Sequence, residues 1–188
     1  MRKLIFIVPL LVFCLFACKK HKADPIVKAE IKVENVISTD REYMTLNYDS
    51  SYKWYESCVT LDNFLDSDSC AIASVTNVFQ VVKSEGEDVF VVLATHTPDT
   101  TVYNVQKGFW VEDFSLNDEQ INLKFEEALD TIMATNSPKP HSKQCVLRKQ
   151  VGPVPANPQY IFGNVKAQLY VDAVTGKVTD VNPCFPKK

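Results

Sequence analysis

Apolar positions change their period several times along this chain, and each change marks an element. Leu4 to Ala17 is apolar throughout and follows Arg2 and Lys3. The run is shorter than the ~20 residues that span a bilayer as a helix, so it reads as the h-region of a cleaved leader. From Ile26 to Ile37 the pattern alternates in part, with Ile31 and Val33 on one face, and predicts a strand. In "STDREYMTLNY", Thr39 followed by Glu42 gives a capping-box signal for a short helix. "SYKWYESCVTLDNFL" is rich in aromatic and β-branched residues and predicts a strand running into a turn.

"DNFLDSDSC" is a polar, acidic loop around Asp62, Asp66 and Asp68. The apolar runs Val75–Val82 and Val89–Thr95 then bracket "KSEGED", where Gly86 supplies the turn of a hairpin. "THTPDTT" turns the chain into a third strand over Val102–Val111. The period then lengthens. Leu116, Ile121, Phe125, Leu129, Ile132 and Met133 recur at helical spacing. Ser115 or Asn117 can cap this helix, Asp118 and Glu119 suit its first turn, and Pro138 and Pro140 end it. "SKQCVLRKQV" predicts a strand, "GPVPANPQ" a connection, and "AQLYVDAVTGKVTDV" two short strands about a turn.

These elements predict an α+β fold: an antiparallel, β-rich domain with one main amphipathic helix, about 116–135, packed on the sheet. The chain divides into a leader (1–17), an anchor and tether (18–25), a β-rich region (26–114), and a region of helix plus antiparallel strands (115–188).

Leu15-Phe16-Ala17-Cys18 resemble the lipobox of bacterial lipoproteins. The resemblance implies that the Cys18 thiol carries diacylglycerol, that the leader is cut before it, and that the new amino terminus is acylated, palmitate being the typical chain. Several acyl chains hold where one holds only reversibly. The chain as a whole resembles small lipoproteins of Bacteroidetes-like bacteria, which supplies an address and no activity. The basic run Lys19, Lys20, Lys22 reads as a solvated tether, and its sign is opposite to the acidic export signal of that family's surface proteins. The expectation is an outer-membrane lipid anchor facing the periplasm, with surface exposure as the alternative.

Acidic residues outnumber basic ones by three over the whole chain, and by five once Arg2 and Lys3 leave with the leader. This balance argues against nucleic acid as a partner. No glycine-rich phosphate loop is present, and no cofactor is expected. Cys58, Cys70, Cys145 and Cys184 form an even set in an exported chain, which predicts disulfides. Three pairings exist; Cys58–Cys70 and Cys145–Cys184 are favoured because each stays within one half of the chain. No two of these cysteines have metal-ligand spacing, so no metal is expected.

"LYVDAVTGKV" has a complete local explanation: alternating strand residues, Asp172 and Thr175 bonding their own turn, and Gly176 free to take positive φ. It also resembles the last hairpin of PepSY-type domains, in which a helix precedes antiparallel strands that end in an Asp-Ala-x-Thr-Gly-Lys-Val turn. The likeness covers about the final 70 residues. It implies a non-catalytic role, such as restraining a protease or binding in the cell envelope.

No nucleophile motif surrounds His96 or His141. His96 reads as an exposed turn residue. His141 reads as a loop residue near Cys145. An enzyme is therefore not expected. Tyr52, Trp54 and Tyr55 are the better candidates for function, with Tyr52 and Trp54 on one strand face. Exposed, they and Trp110 of "GFWVEDF" would bind a partner or ligand; buried, they are core. The expected function is a lipid-anchored, non-catalytic binding or inhibitory module for an envelope protein. The alternatives are a glycan- or small-ligand-binding lipoprotein and a hydrolase using His141 or His96.

Overall fold

A computed structural model describes residues 30–48, 52–82, 88–111 and 113–185. The leader, Cys18, the tether and the turn residue Gly86 lie outside the described residues. Helix α1 spans Val33–Tyr48, and the antiparallel strands β1 (Tyr52–Leu61), β2 (Ile72–Val82), β3 (Val89–His96) and β4 (Thr101–Lys107) follow it. A two-residue strand β5 (Asp113–Phe114) and a 3-10 turn (Asp118–Gln120) lead into helix α2 (Phe125–Ala134). Strands β6 (Gln144–Gln150), β7 (Gln159–Asn164), β8 (Ala167–Asp172) and β9 (Val178–Thr179) complete the chain.

The strands run in the order β4-β3-β2-β1-β6-β7-β8-β9, with β5 beside β6. Each half is a helix followed by four antiparallel strands. The halves meet through the antiparallel pair β1–β6, where Cys58 faces Val146. Order and direction are therefore those of a twofold pseudo-repeat about that seam, although the sequence carries no readable repeat. The antiparallel α+β fold expected from the residue pattern is the one observed.

Both helices pack on one face of the sheet. Val33 and Met44 of α1, and Phe125, Ala128 and Ile132 of α2, share one core with Trp54, Val59, Phe79, Val92, Leu147, Phe162 and Val171. Strand alternation puts these strand residues on the same side, as the register Val59↔Cys145↔Phe162↔Leu169 shows.

The strand expected over 26–37 is instead the start of α1 from Val33 onward. Its inward stripe is Val33, Ile37, Asp40 and Met44, which is helical spacing with a carboxylate in the middle. The helix expected from Leu116 begins only at Phe125. The Leu116 N–H donates to the Trp54 carbonyl, and the Asn122 and Leu123 N–H groups donate to Ala173. These long-range bonds hold the segment open. Asn117 caps the 3-10 turn, while the Glu127 carboxylate accepts the Lys124 N–H and Glu34 of α1 accepts that of Phe125. Strand β7 was not anticipated.

The four cysteines are free, and the favoured disulfide pairs are corrected. Because Val59 faces Cys145, Cys58 projects from the opposite side of the sheet. Cys58 also faces Thr76 inside β2, whereas Cys70 lies six residues earlier in the chain, before that strand begins. The Cys184 Sγ lies by the Gln150 carbonyl, at the far end of β6 from Cys145. Neither pair meets the Cα separation of less than about 7 Å that a bridge requires.

The terminal hairpin forms as expected. The Asp172 carboxylate accepts the Val174 and Thr175 N–H groups, and Gly176 takes φ of 71°. Burial works against the Asp172 charge, but these bonds and those from Asn157 and Gln159 hold its pKa below the usual range. Among the described residues no helix is long and apolar enough to cross a membrane.

Candidate binding site

Tyr52 and Trp54 share one face of β1, opposite Val81 and Phe79. A bulge at Tyr55 then shifts the register, so that Glu56 rather than Tyr55 is the next paired residue. Trp54 is only 3% exposed, and its indole N–H donates to the Glu56 carbonyl. Tyr55 is buried and Tyr52 half-buried against the edge of the Phe79 ring. Trp110 is half-buried, its backbone N–H donating to Gln80 and its indole N–H to Asp113. No exposed aromatic platform for a sugar is formed by these four residues.

Exposed apolar side chains are spread over the chain, Leu46, Val151 and Val165 among them, and five fall between residues 102 and 114. Among the described residues strand β4 pairs only with β3, and its residues other than half-buried Tyr103 are exposed. Val102 and Val105 stand open on it, and the chain continues through Phe109 (70% exposed) and Val111 (78%) to exposed Phe114. Among the described residues the outer edge of β4 is unpaired, with Val102 and Val105 on its two faces; beyond Gly108 the chain leaves that edge, since the Trp110 N–H donates to Gln80 of β2 and β5 pairs with β6. Free edges of this kind are templates for another strand, and grouped exposed apolar residues mark interaction surfaces. The "GFWVEDF" cluster is visible in the residue pattern, but the sheet order places it away from that edge, between Gln80 of β2 and the end of β6.

A buried polar network backs this edge. Asp40 of α1 accepts from Asn77 at 2.7 Å, from the Tyr103 hydroxyl at 3.0 Å, and pairs with His96 Nε2 at 2.7 Å. The Ser57 hydroxyl bonds the Asn77 carbonyl oxygen, and the Thr101 hydroxyl lies 2.9 Å from His96 Nδ1. The Tyr103 ring stacks on Tyr43 of α1 at 3.6 Å. Burial raises the Asp40 pKa, against the lowering pull of Asn77 and His96. Burial, and then the Asp40 charge, pushes the Tyr103 hydroxyl up. His96 is 6% exposed, which corrects its expected place in an exposed turn. Its two ring nitrogens are occupied, so it clamps α1 to β3 and β4. His141 lies on the surface, stacked on Phe64 and paired with Asp66 at 2.9 Å, not with Cys145.

On the opposite face, Glu56 (β1), Asp113 (β5) and Arg148 (β6) converge where β5 wedges between β1 and β6. Arg148 lies 3.8 Å from each carboxylate. Burial, then the nearby Glu56 charge, pushes Asp113 up to about 7 against the pull of Arg148. The Cys58 thiol donates to Glu56 at 2.8 Å. Burial and that carboxylate raise its pKa and keep it a thiol rather than a nucleophilic thiolate.

Between α1 and the 118–124 segment lies a cavity of 390 Å3. Trp54, Leu147 and Tyr160 line it from the strands, and Ile37 and Ile121 from its sides. At its mouth the Arg41 guanidinium grips Asp118 with two hydrogen bonds and lies 5.1 Å from the centre of the Trp54 ring.

No family model matches the chain, and neither does any curated protein or solved structure. The functional reading therefore rests on geometry and on the residue patterns alone.

Proposed function

We propose that this chain is a non-catalytic binding module, held at a bacterial cell envelope through lipidated Cys18, that takes a protein partner by strand addition at β4. The observation that carries the proposal is the edge of β4, unpaired among the described residues, with exposed Val102 and Val105 on its two faces. In strand addition, main-chain hydrogen bonds supply affinity and alternate side chains supply selectivity. The complementary partner is an extended segment of an envelope protein with apolar residues facing the two valines. The Tyr43–Tyr103 stack and the Asp40 network support docking by holding the edge rigid, so that little ordering cost falls on this side. The likeness of the last hairpin to PepSY-type domains favours a restraining role over a catalytic one. So does the engagement of His96 with Asp40 and Thr101.

Photo-crosslinking in the bacterial host tests this. A benzophenone amino acid at Val102 or Val105 is expected to give a discrete adduct with an extended segment of another envelope protein. The same probe at Val165, exposed in the β7–β8 turn, is expected to give none. Adducts identical at all three positions, or only with a second copy of this chain, would overturn the reading. Palmitate label that persists on a Cys18→Ala chain would overturn the anchor.

A further inference from the structure

The interior of the cavity between α1 and the 118–124 segment offers carbon. Its two aromatic walls have their polar atoms engaged elsewhere: the Trp54 indole N–H bonds the Glu56 carbonyl, and the Tyr160 hydroxyl bonds the Leu123 carbonyl at 2.8 Å. Leu147, Ile37 and Ile121 complete an apolar chamber. At 390 Å3 it falls within the range of about 300–1,000 Å3 typical of small-molecule sites.

The rim is polar and its charges are unequally used. Arg41 is committed to Asp118, and Glu34 accepts the Phe125 N–H. Lys124 and Ser38 also line the cavity. Among the described residues Lys124 makes no ion pair. An apolar chamber with a lysine outside any ion pair among its lining residues fits a molecule with an apolar body and one carboxylate. We infer that this cavity binds a free apolar monocarboxylate, of the medium-chain fatty acid type, with its chain against Trp54 and Leu147 and its head at Lys124. The site is separate from the β4 edge, and its failure would leave the strand-addition reading untouched.

Decanoate is the probe, titrated into the full chain while Trp54 emission is followed in a Trp110→Phe background and heat is measured by calorimetry. Saturable one-to-one binding is expected. Replacing Ile121 by Trp fills the chamber and is expected to weaken binding by at least about tenfold, the equivalent of roughly two methylenes excluded. Should Ile121→Trp fold poorly by circular dichroism, Ser38→Trp, which covers the mouth from exposed α1 surface, is expected to act in the same direction. Lys124→Met, or decanol in place of decanoate, is expected to weaken binding by roughly two- to fivefold, as for a solvent-exposed ion pair. Absence of saturable binding, or full binding by both tryptophan variants, would overturn the proposal. Binding to a Cys18→Ala chain but not to the lipidated chain would also overturn it, by assigning the chamber to the protein's own acyl group.

Discussion

Asp40 in the middle of α1 and His96 at the end of β3 lie 2.7 Å apart, carboxylate oxygen to Nε2, with the carboxylate fully buried. The same carboxylate takes hydrogen bonds from Asn77 and Tyr103, so one side chain ties α1 to β2, β3 and β4. Removing it strands buried Asn77 and His96 and half-buried Tyr103. Asp40→Ala is therefore expected to cost about 3–5 kcal/mol of unfolding free energy. Asp40→Asn keeps the shape and part of the bonding and is expected to cost less than half as much. Urea denaturation followed by circular dichroism checks both. Equal losses for the two variants would show that the charge rather than the hydrogen bonding matters here.

That carboxylate also explains where the residue pattern was and was not readable. The hairpin β2–β3, strand β1 and the Asp172–Gly176 turn rest on local signals, alternation and turn chemistry, and each was legible. Helix α1 was legible only from Ser38 on, as the short helix of "STDREYMTLNY"; its full length was hidden because its inward stripe includes Asp40, whose burial becomes tolerable only once Asn77, His96 and Tyr103 arrive from distant strands. The segment 116–124 has helical spacing, yet Trp54 and Ala173 capture its backbone groups from far away in the chain. The cysteines showed parity without geometry, and only the register places Cys58 and Cys145 on opposite faces. The edge formed by β4 depends on strand order, which no local pattern carries.

Free cysteines in the fold lead to a direct expectation. A reductant should leave the thermal midpoint unchanged, because no bridge is available to break. Cys145 is wholly buried beside Val59 and Phe162, and burial raises its thiol pKa well above the ordinary value. Cys145→Val nearly conserves volume and is expected to cost under about 1.5 kcal/mol. Cys145→Ser places a stronger polar group in the same space and is expected to cost about 1–3 kcal/mol. Melting curves with and without reductant, and of the two variants, check these values. A large fall in midpoint on reduction would contradict the free-thiol arrangement.

Gly163, near the end of β7, holds φ at 125°, and a Cβ there would lie 2.1 Å from the Ala167 carbonyl oxygen across the β7–β8 turn. Backbone cannot yield as a flexible side-chain tip can, and the φ value is itself strained for any L residue. Gly163→Ala is therefore expected to destabilise by more than about 2 kcal/mol. Gly176→Ala is the informative comparison. It has positive φ but open space around the missing Cβ, so only the conformational cost of about 1 kcal/mol applies. Chemical denaturation of the pair separates steric from conformational cost.

The acid cluster at β5 sets a pH dependence whose sign follows from its geometry. Asp113 is buried beside Glu56, with Arg148 as the cation against both, and its pKa stands at about 7, above the ordinary 3.8. Between those two values the folded chain holds a proton that the unfolded chain releases. Stability from this group is therefore complete below about pH 4 and falls as pH rises through 7. The difference is on the order of 2–4 kcal/mol. Asp113→Asn keeps the side-chain shape and the nearby Trp110 contact but cannot ionise. Its unfolding free energy is expected to be flatter than that of the parent chain between pH 5 and pH 8 (about the window of the shift), with the variant the more stable of the two at the alkaline end. Urea titrations at fixed pH steps read the difference directly. Parallel pH profiles for the two proteins would mean that Arg148 neutralises Asp113 fully, and that β5 is held by an ion pair rather than by a shared proton.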